Sequence, residues 1–165
     1  MTDDSITGEQ FRRACGLWAT GVSIVTTTDA QGKLYGLTMN AVTSLSLDPP
    51  MLLVCVDFGS DTLAPLLESG AFCVNILARN QQDLSNRFAK KGQDKFEGVP
   101  YSISANGAPI LANTLVSATC SLRDAIDGGD HKICCGVVET IVANESVDAE
   151  PLLYYNGRYA ALGKL

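Results

Sequence analysis

A row of small polar side chains in the segment 37–57 could bind a ligand. Its members stand two or four residues apart and are Thr38, Asn40, Ser44 and Ser46. Side chains at such even spacings point to the same face of an extended chain. Hydroxyl and amide groups in a row suit a ligand with many hydrogen-bond acceptors, such as the ring edge or the ribityl chain of a flavin. The same alternation is typical of the solvent-facing side of an amphipathic strand, so both interpretations stay open.

Two further segments could bind phosphate. Ser60, Asp61 and Thr62 are predicted to begin a helix over 60–70, where free backbone N–H groups attract an anion. Ordinary N-capping by Ser60 or Asp61 explains the same residues. A second predicted helix over 79–91, with Asn80 as its cap, carries side chains that could reach a second phosphate or simply face solvent. These are Ser85, Arg87, Lys90 and Lys91.

His131 is the only histidine of the chain, and it follows Gly128, Gly129 and Asp130 at the start of a predicted strand. Glycines there let the backbone approach a ligand, so His131 could be an active-site group, with a structural or surface role as the alternative. The six cysteines form no CxxC pair, and one histidine is too few for a usual zinc site. We therefore expect reduced core thiols, no metal and no covalent catalysis.

The composition argues against several classes of protein. The 165 residues suit a single domain over 1–165, with 46% hydrophobic and 18% charged residues. Twelve Lys and Arg against 18 Asp and Glu give a net charge of −6, and nucleic-acid binding needs clustered basic residues. No stretch approaches the roughly 18 apolar residues of a membrane span. The N-terminus MTDDSITGEQ is polar and acidic, so we expect a cytoplasmic protein with no membrane or nucleic-acid partner.

The elements that must position these residues are mostly strands. Thr7 and Gln10 predict a capping box for a first helix that includes Trp18 and ends at Gly21. The polar stretch 92–113 is expected to cover another part of the molecule. Apolar and alternating runs predict strands over 22–28, 34–40, 42–47, 51–57, 71–77, 115–123, 131–144 (with a bulge at Gly136) and, as one or two strands, 151–162. Seven or more strands with three short helices predict a mainly β fold, an antiparallel β-barrel, and the chain has no GxGxxG or P-loop motif.

Taken in order, these segments resemble the short-chain flavin reductases, the reductase components of two-component flavin-dependent monooxygenases. The similarity covers residues 8 to 162 and rests on the ordered set FRRACGLWATGVSIVTT, GLTMNAVTSLSLDPPMLLVCVD, TLAPLLESGAFCVNILA, LSNRFA, KFEGVPY, GDH and PLLYYNGRY. It implies an FMN-binding split barrel of antiparallel Greek-key type and a homodimer. It further implies reduction of FMN or FAD by NADH or NADPH, with a flavin-dependent monooxygenase as the partner that receives the reduced flavin.

The resemblance also implies roles for individual residues. The TxNAxxSxS pattern would line the flavin through Thr38, Met39, Asn40, Ala41, Ser44 and Ser46. The segment that holds the ribityl chain and phosphate corresponds to Cys55, Val56, Ser60 and Thr62, and Asn75 belongs to the same cofactor-binding set. The helix over the phosphate end contributes Ser85, Arg87 and Phe88. His131 matches the GDH histidine near the nicotinamide and is the catalytic candidate, and the pocket around it is completed by Tyr154, Tyr155 and Tyr159.

The implied reaction needs no side chain as an acid or base in its central step. A hydride passes from nicotinamide to flavin, so the protein has to stack two rings and donate hydrogen bonds to the reduced flavin. Backbone N–H groups of residues 41–44 could serve as these donors. Two alternatives are a non-enzymatic flavin-binding split barrel and an enzyme similar to pyridoxamine-phosphate oxidase, which would want more Arg and Lys than this chain offers. Apolar strands in a short chain, together with Trp18, predict a dimer.

Overall fold

A seven-stranded antiparallel sheet dominates the computed structural model, which describes residues 5–92, 94–144 and 150–163. The helices are α1 (Gly8–Gly16), α2 (Leu63–Ser69) and α3 (Gln82–Phe88), and a 3-10 turn spans Arg79–Gln81. The strands are β1 (Thr20–Gly21), β2 (Ser23–Thr28), β3 (Leu34–Met39), β4 (Val42–Leu47), β5 (Pro50–Asp57), β6 (Ala71–Ile76), β7 (Tyr101–Ile103), β8 (Pro109–Leu111), β9 (Val116–Gly128), β10 (His131–Ala143), β11 (Leu153–Tyr155) and β12 (Arg158–Ala160). The predicted mainly β fold is confirmed.

The order of the strands shows how the sheet rolls up. The sheet runs β3-β2-β6-β9-β10-β5-β4, so β3 and β4 are its two outer strands. Only Asn40 and Ala41 separate these strands along the chain, so the Cα atoms of Met39 and Val42 lie at most about 11 Å apart. The two edges must therefore approach each other, and the sheet curls into a barrel that is split between β3 and β4. The chain crosses this split within the TxNAxxSxS pattern.

The barrel encloses an apolar core. Phe72, Val54 and Val56 are fully buried there, together with Cys120 and Cys134 from the long β9–β10 hairpin. Burying apolar side chains of this size contributes about 1.5–3 kcal/mol each before the entropy of ordering the chain is subtracted. This core holds β5 in place, and β5 carries the segment that leads to the candidate phosphate residues.

A second apolar cluster closes one end of the barrel. Ile24, Leu77 and Phe88 are buried in it beside Phe96 and Leu111. The segment 92–113 supplies the last two residues and forms the small β7–β8 sheet, so the prediction that this stretch covers another part of the molecule is confirmed.

The helices are shorter than predicted. The capping box of Thr7 and Gln10 is present, but α1 ends at Gly16, so Trp18 lies beyond the helix. α2 begins at Leu63 after Thr62, and neither Ser60 nor Asp61 caps it with a side chain. The predicted helix over 79–91 divides into the 3-10 turn and α3, and the side chain of Gln81 rather than Asn80 accepts the hydrogen bond at its start.

The bulge predicted at Gly136 lies on the partner strand instead. Cys135 pairs with Asp124 and Gly136 pairs with Leu122, so the extra residue is Arg123 of β9. A Cβ atom at Gly136 would lie 2.5 Å from the ring of Phe72, so the glycine lets the backbone lie directly against a core aromatic side chain. The hairpin also extends further than predicted, because β9 continues to Gly128. In the described ranges no helix is long and apolar enough to span a membrane.

Candidate functional site

The free edge of β3 meets α3 through predicted site residues. The hydroxyl of Thr38 donates a 2.6 Å hydrogen bond to the backbone carbonyl of Ser85. The Ser85 hydroxyl lies 2.8 Å from the hydroxyl of Tyr159, which in turn donates to Asn86 at 3.0 Å. Tyr159 packs edge-on against Tyr154 with ring centroids 5.5 Å apart. Four of the predicted residues thus form one connected wall, although they come from three distant parts of the chain.

Gly36 allows this close approach of α3 to β3. A Cβ atom at that position would lie 2.7 Å from the ring of Phe88, which is 1% exposed. Any larger residue would push the helix outward and separate Ser85 from Thr38. The prediction for Phe88 needs a correction, because its ring packs in the core and serves to position the helix.

The polar row continues across the split onto β4. Asn40 and Ser44 are exposed and Ser46 is half-buried. Across the described ranges, the side chains of these three residues make no hydrogen bond to the protein. The backbone carbonyl of Ala41 accepts a 3.0 Å hydrogen bond from the Cys55 N–H, which anchors the crossing point to β5. The row therefore presents unpaired donors and acceptors on a backbone that is itself fixed.

The residues predicted to bind phosphate lie in the turn between β5 and α2, where their side chains form hydrogen bonds within the turn. Asp57 accepts a 2.6 Å hydrogen bond from the N–H of Gly59, and the Ser60 hydroxyl accepts one of 3.3 Å from the N–H of Thr62. Thr62 is completely buried and its hydroxyl bonds to Asp61. Only Ser60 of this group offers a partly exposed hydroxyl. The hydroxyl of Thr62 is therefore not available to a phosphate. Binding of a phosphate by Ser60 and the backbone of this turn stays a prediction.

Two lysines connect this turn to the elements around it. Lys91, just beyond α3, donates a 3.1 Å hydrogen bond to the carbonyl of Gly59. Lys95 is 7% exposed and donates a 2.7 Å hydrogen bond to the carbonyl of Gly36. Its ammonium also lies 3.8 Å from the Asp61 carboxylate. Burial lowers the pKa of Lys95, while Asp61 opposes that effect. Lys95 could not be predicted as a site residue, because no local pattern distinguishes a buried lysine from an exposed one in a polar stretch.

His131 stands beside the start of the same turn. It is the first residue of β10 and pairs with Asp57 at the end of β5. Its Nδ1 atom lies 2.6 Å from Asp130, and its side chain is 38% exposed. The hydrogen bond and the charge of His131 lower the pKa of Asp130. The preceding backbone is fixed as well, since the Asp130 carbonyl accepts a 3.1 Å hydrogen bond from Phe58.

Asn75 requires a correction, because its side chain is entirely buried and paired within the protein. Its amide nitrogen donates to the Ile24 carbonyl at 3.1 Å and to the Thr26 hydroxyl at 3.0 Å. Its amide oxygen accepts from the Leu111 N–H at 2.9 Å and from the Ser117 hydroxyl at 2.8 Å. No group of this side chain remains for a cofactor, so Asn75 joins core strands.

The remaining predicted residues differ in what their side chains leave available to a ligand. The side chains of Met39 and Val56 belong to the barrel core, so only their backbones remain for a ligand. Arg87 donates a 2.6 Å hydrogen bond to the carbonyl of Glu97, which directs it toward the loop beyond α3. Cys55 is half-buried, and burial together with the nearby Cys135 raises its pKa, so its thiol is neutral. Tyr155 is 42% exposed on the small three-stranded sheet.

Hydroxyl and amide side chains thus make up most of the candidate site. Among the described residues, no group of three or more His, Cys, Asp or Glu side chains could hold a metal ion. A model of the flavin reductase like domain matches residues 15–163. The chain belongs to the flavin reductase like family.

Individual members of this family are similar along most of the chain. A reductase subunit of a flavin-dependent monooxygenase from Rhodococcus jostii is 38% identical over 159 residues, which is 96% of this chain and 80% of that protein. A flavin reductase from Pseudomonas putida is 36% identical over 161 residues, covering 98% and 94%. The chain spans 50% of the length of a further relative from Rhizobium meliloti.

A solved structure agrees with the fold. The crystal structure of a homologue of nitrilotriacetate monooxygenase component B, from Mycobacterium thermoresistibile, superposes with a TM-score of 0.90 at 37% identity. The match covers 94% of this chain and 86% of that one. The split between β3 and β4 is therefore a feature of a flavin reductase family fold, and the unpaired polar row lies at this split.

Proposed function

We propose that this protein is a flavin reductase that uses NADH or NADPH to reduce FMN or FAD. The observation that carries the proposal is the unpaired polar row of Asn40, Ser44 and Ser46 at the split of the barrel. Unpaired amide and hydroxyl groups on a fixed backbone suit the many acceptors of a flavin ring and ribityl chain. Bound flavin accepts a hydride from the nicotinamide, and that chemistry belongs to the two cofactors.

The protein's own contribution is binding and orientation. Asn40 and Ser44 would donate hydrogen bonds to the ring, and the Thr38–Ser85–Tyr159 wall would hold the far end of the same molecule. Donors that are fixed before the reaction stabilise developing charge without a reorganisation cost. His131, held by Asp130, would orient the nicotinamide from its place beside Asp57. None of these roles requires an acid or base at the transferred hydride.

The competing function is a carrier that binds flavin without reducing it. Anaerobic mixing of the protein with NADH and FMN or FAD, while absorbance near 450 nm is recorded, separates the two functions. A reductase bleaches many equivalents of flavin for each equivalent of protein. A protein that binds flavin but bleaches none with either NADH or NADPH is a carrier, and this outcome would contradict the proposal.

We further propose that the reduced flavin is delivered to a separate flavin-dependent monooxygenase. The support is that the Rhodococcus jostii relative is named as the reductase subunit of such an enzyme. Delivery requires that the reduced flavin leaves the protein. Anaerobic filtration after reduction should recover the reduced flavin in the protein-free fraction, whereas reduced flavin retained by the protein would argue against delivery.

A homodimer is the proposed assembly. α1 has no buried residue, and it exposes Phe11 at 64% and Trp18, beyond its end, at 77%. On β4, Leu47 is 93% exposed. Large apolar side chains exposed in one chain are typical of a surface that a second subunit covers. Light scattering at micromolar concentration should give about twice the 17.5 kDa chain mass, and a 17.5 kDa species alone would contradict a dimer.

A further inference from the structure

A cavity of about 630 Å³ lies beside the free edge of β3, outside the polar row described above. The backbone of residues 32–36 forms one wall, and the segment after α3 forms the other. A cavity of this volume falls within the range of small-molecule sites. Because β3 is an outer strand, its backbone groups on this side have no neighbouring strand to pair with.

Lys95 brings a buried positive charge to this cavity. It is 7% exposed, and in the described residues its only hydrogen bond is the 2.7 Å bond to the Gly36 carbonyl. An ammonium group carries three donors, and the 3.8 Å distance to Asp61 is too long for a second good hydrogen bond. A buried charge that is only partly paired is costly, so an anion in the cavity would complete its partners.

Aromatic rings form another part of the lining. Phe96 is buried and meets Tyr101 edge-on, with ring centroids 5.6 Å apart. Tyr101 is 44% exposed although it is held by this contact. Tyr35, on β3, also lines the cavity. A rigid and exposed tyrosine ring can stack on a planar base, and such stacking tolerates any purine or pyrimidine.

The cavity continues from the end of the candidate flavin site. Gly36 precedes Thr38 by two residues on the same strand, which is a distance of about 7 Å. Asp61, another lining residue, directly follows Ser60. A ligand that extends past the wall of Thr38 and Ser85 would enter the cavity with its next charged group near Lys95.

We propose that this cavity binds the adenosine monophosphate half of FAD, so that the protein prefers FAD over FMN. The inference rests on the proposed function, because it extends the same flavin site. Lys95 pairs with the second phosphate, Tyr101 stacks on the adenine, and carboxylates of the lining, such as Glu97, accept hydrogen bonds from ribose hydroxyls. FMN ends at its first phosphate and leaves these groups without a partner.

The test compares the affinities of FAD and FMN, measured by quenching of flavin fluorescence without any nicotinamide. Tyr101→Ala should weaken FAD binding about tenfold and leave FMN binding within about twofold. Ile103→Ala is the matched control, since Ile103 lies two residues along β7, is 53% exposed and does not line the cavity. Lys95→Met should show the same selective loss, and Tyr101→Ala keeps the test valid if Lys95→Met fails to fold.

A competition experiment gives an independent measurement. AMP should displace FAD from the wild-type protein and should leave bound FMN in place. Equal losses of FAD and FMN affinity in Tyr101→Ala, or no loss of either, would overturn the inference. So would an increased KM for NADH with unchanged FAD affinity, because the cavity would then serve the nicotinamide dinucleotide. If the wild type binds FAD selectively but bleaches neither flavin, the reductase function fails while the adenylate site stands.

Discussion

Two groups of hydroxyl and amide side chains in this protein have similar compositions and opposite environments. Around Asn75, the side chains of Thr26 and Ser117 are buried, and all of them are paired with one another or with the backbone. At the split of the barrel, Asn40 and Ser44 are exposed, and in the described ranges their side chains have no protein partner. We refer to these groups as the closed network and the open row.

The difference shows that residue type alone does not separate a polar group that joins strands from one that stays without a protein partner. The closed network spans three neighbouring strands, so each donor finds an acceptor across the sheet. It also reaches β8, where the Leu111 N–H bonds to Asn75. The open row lies where the sheet has no next strand, and its groups remain available to a ligand. Mutations in the first group should change stability, and mutations in the second should change binding.

The largest expected effect is that of Asn75→Ala on stability. The substitution leaves buried groups such as the Leu111 N–H unpaired, at about 1–3 kcal/mol for each, and removes packed volume. We expect the free energy of unfolding, measured by urea denaturation, to fall by about 2–4 kcal/mol. Asn40→Ala serves as the control and should change it by less than about 0.5 kcal/mol. Equal effects at the two positions would remove the distinction between the closed network and the open row.

His131→Ala should affect turnover and leave flavin binding unchanged, because the proposed role of His131 is to orient the nicotinamide. Steady-state kinetics with NADH should show a loss in kcat/KM of about 1–3 kcal/mol, as expected for a lost orienting hydrogen bond. Asp130→Asn tests the 2.6 Å contact and should give a smaller loss in the same direction. If kinetics with NADH and NADPH are both unchanged in His131→Ala, the histidine is structural.

Each residue of the open row should contribute a smaller amount to flavin affinity. Asn40→Ala and Ser44→Ala should each weaken flavin affinity by about 0.5–1.5 kcal/mol, the usual value of one hydrogen bond. Titration of flavin fluorescence measures the affinity, and thermal unfolding checks that both variants remain folded. Thr43→Ala is the control on the same strand, because Thr43 is exposed and its hydroxyl bonds only to the neighbouring carbonyl of Ser44. Unchanged affinity in both variants would place the row on an ordinary solvent-facing surface.

The smallest effect concerns thiols in and near the closed network at alkaline pH. Burial, with a smaller contribution from neighbouring groups, raises the pKa of Cys73 and of Cys120 from 9.0 to about 12. Above pH 9 the unfolded chain therefore loses protons that the folded chain keeps, so the free energy of unfolding falls as pH rises. Between pH 8 and 9.5 the fall should be about 1 kcal/mol or less for each thiol.

A comparison of variants tests whether the two thiols cause this fall in the free energy of unfolding with pH. Lys95 acts in the opposite direction, because its pKa is lowered by burial and its folded form loses a proton first. The double variant Cys73→Ala, Cys120→Ala should be less stable at every pH but should have a flatter decline above pH 9 than the wild type. An identical pH slope in both proteins would show that the two thiols do not cause it.

Much of the fold could be predicted locally. The alternation of apolar residues predicted most strands to within one or two residues, and the capping box of Thr7 and Gln10 is present. The ends of the helices were less predictable. α2 begins three residues later than expected, because Ser60 and Asp61 bond within the preceding turn instead of capping the helix.

For the site, the sequence alone determined which polar residue types lie near one another along β3 and β4, because they stand close together in an extended chain. The two-residue period itself is interrupted on β4, where the register shifts between Ser44 and Ser46. Only the tertiary structure decided which of these polar residues are free. Asn40 and Asn75 are the same residue type, yet Asn40 is exposed at the split and Asn75 is buried on the inner strand β6. Likewise, Lys95 bonds to the carbonyl of Gly36 because the loop after α3 packs against β3, and the sequence does not show that contact. Hydrogen-bond partners from distant segments are set by strand order and packing, and a local pattern carries no information about either.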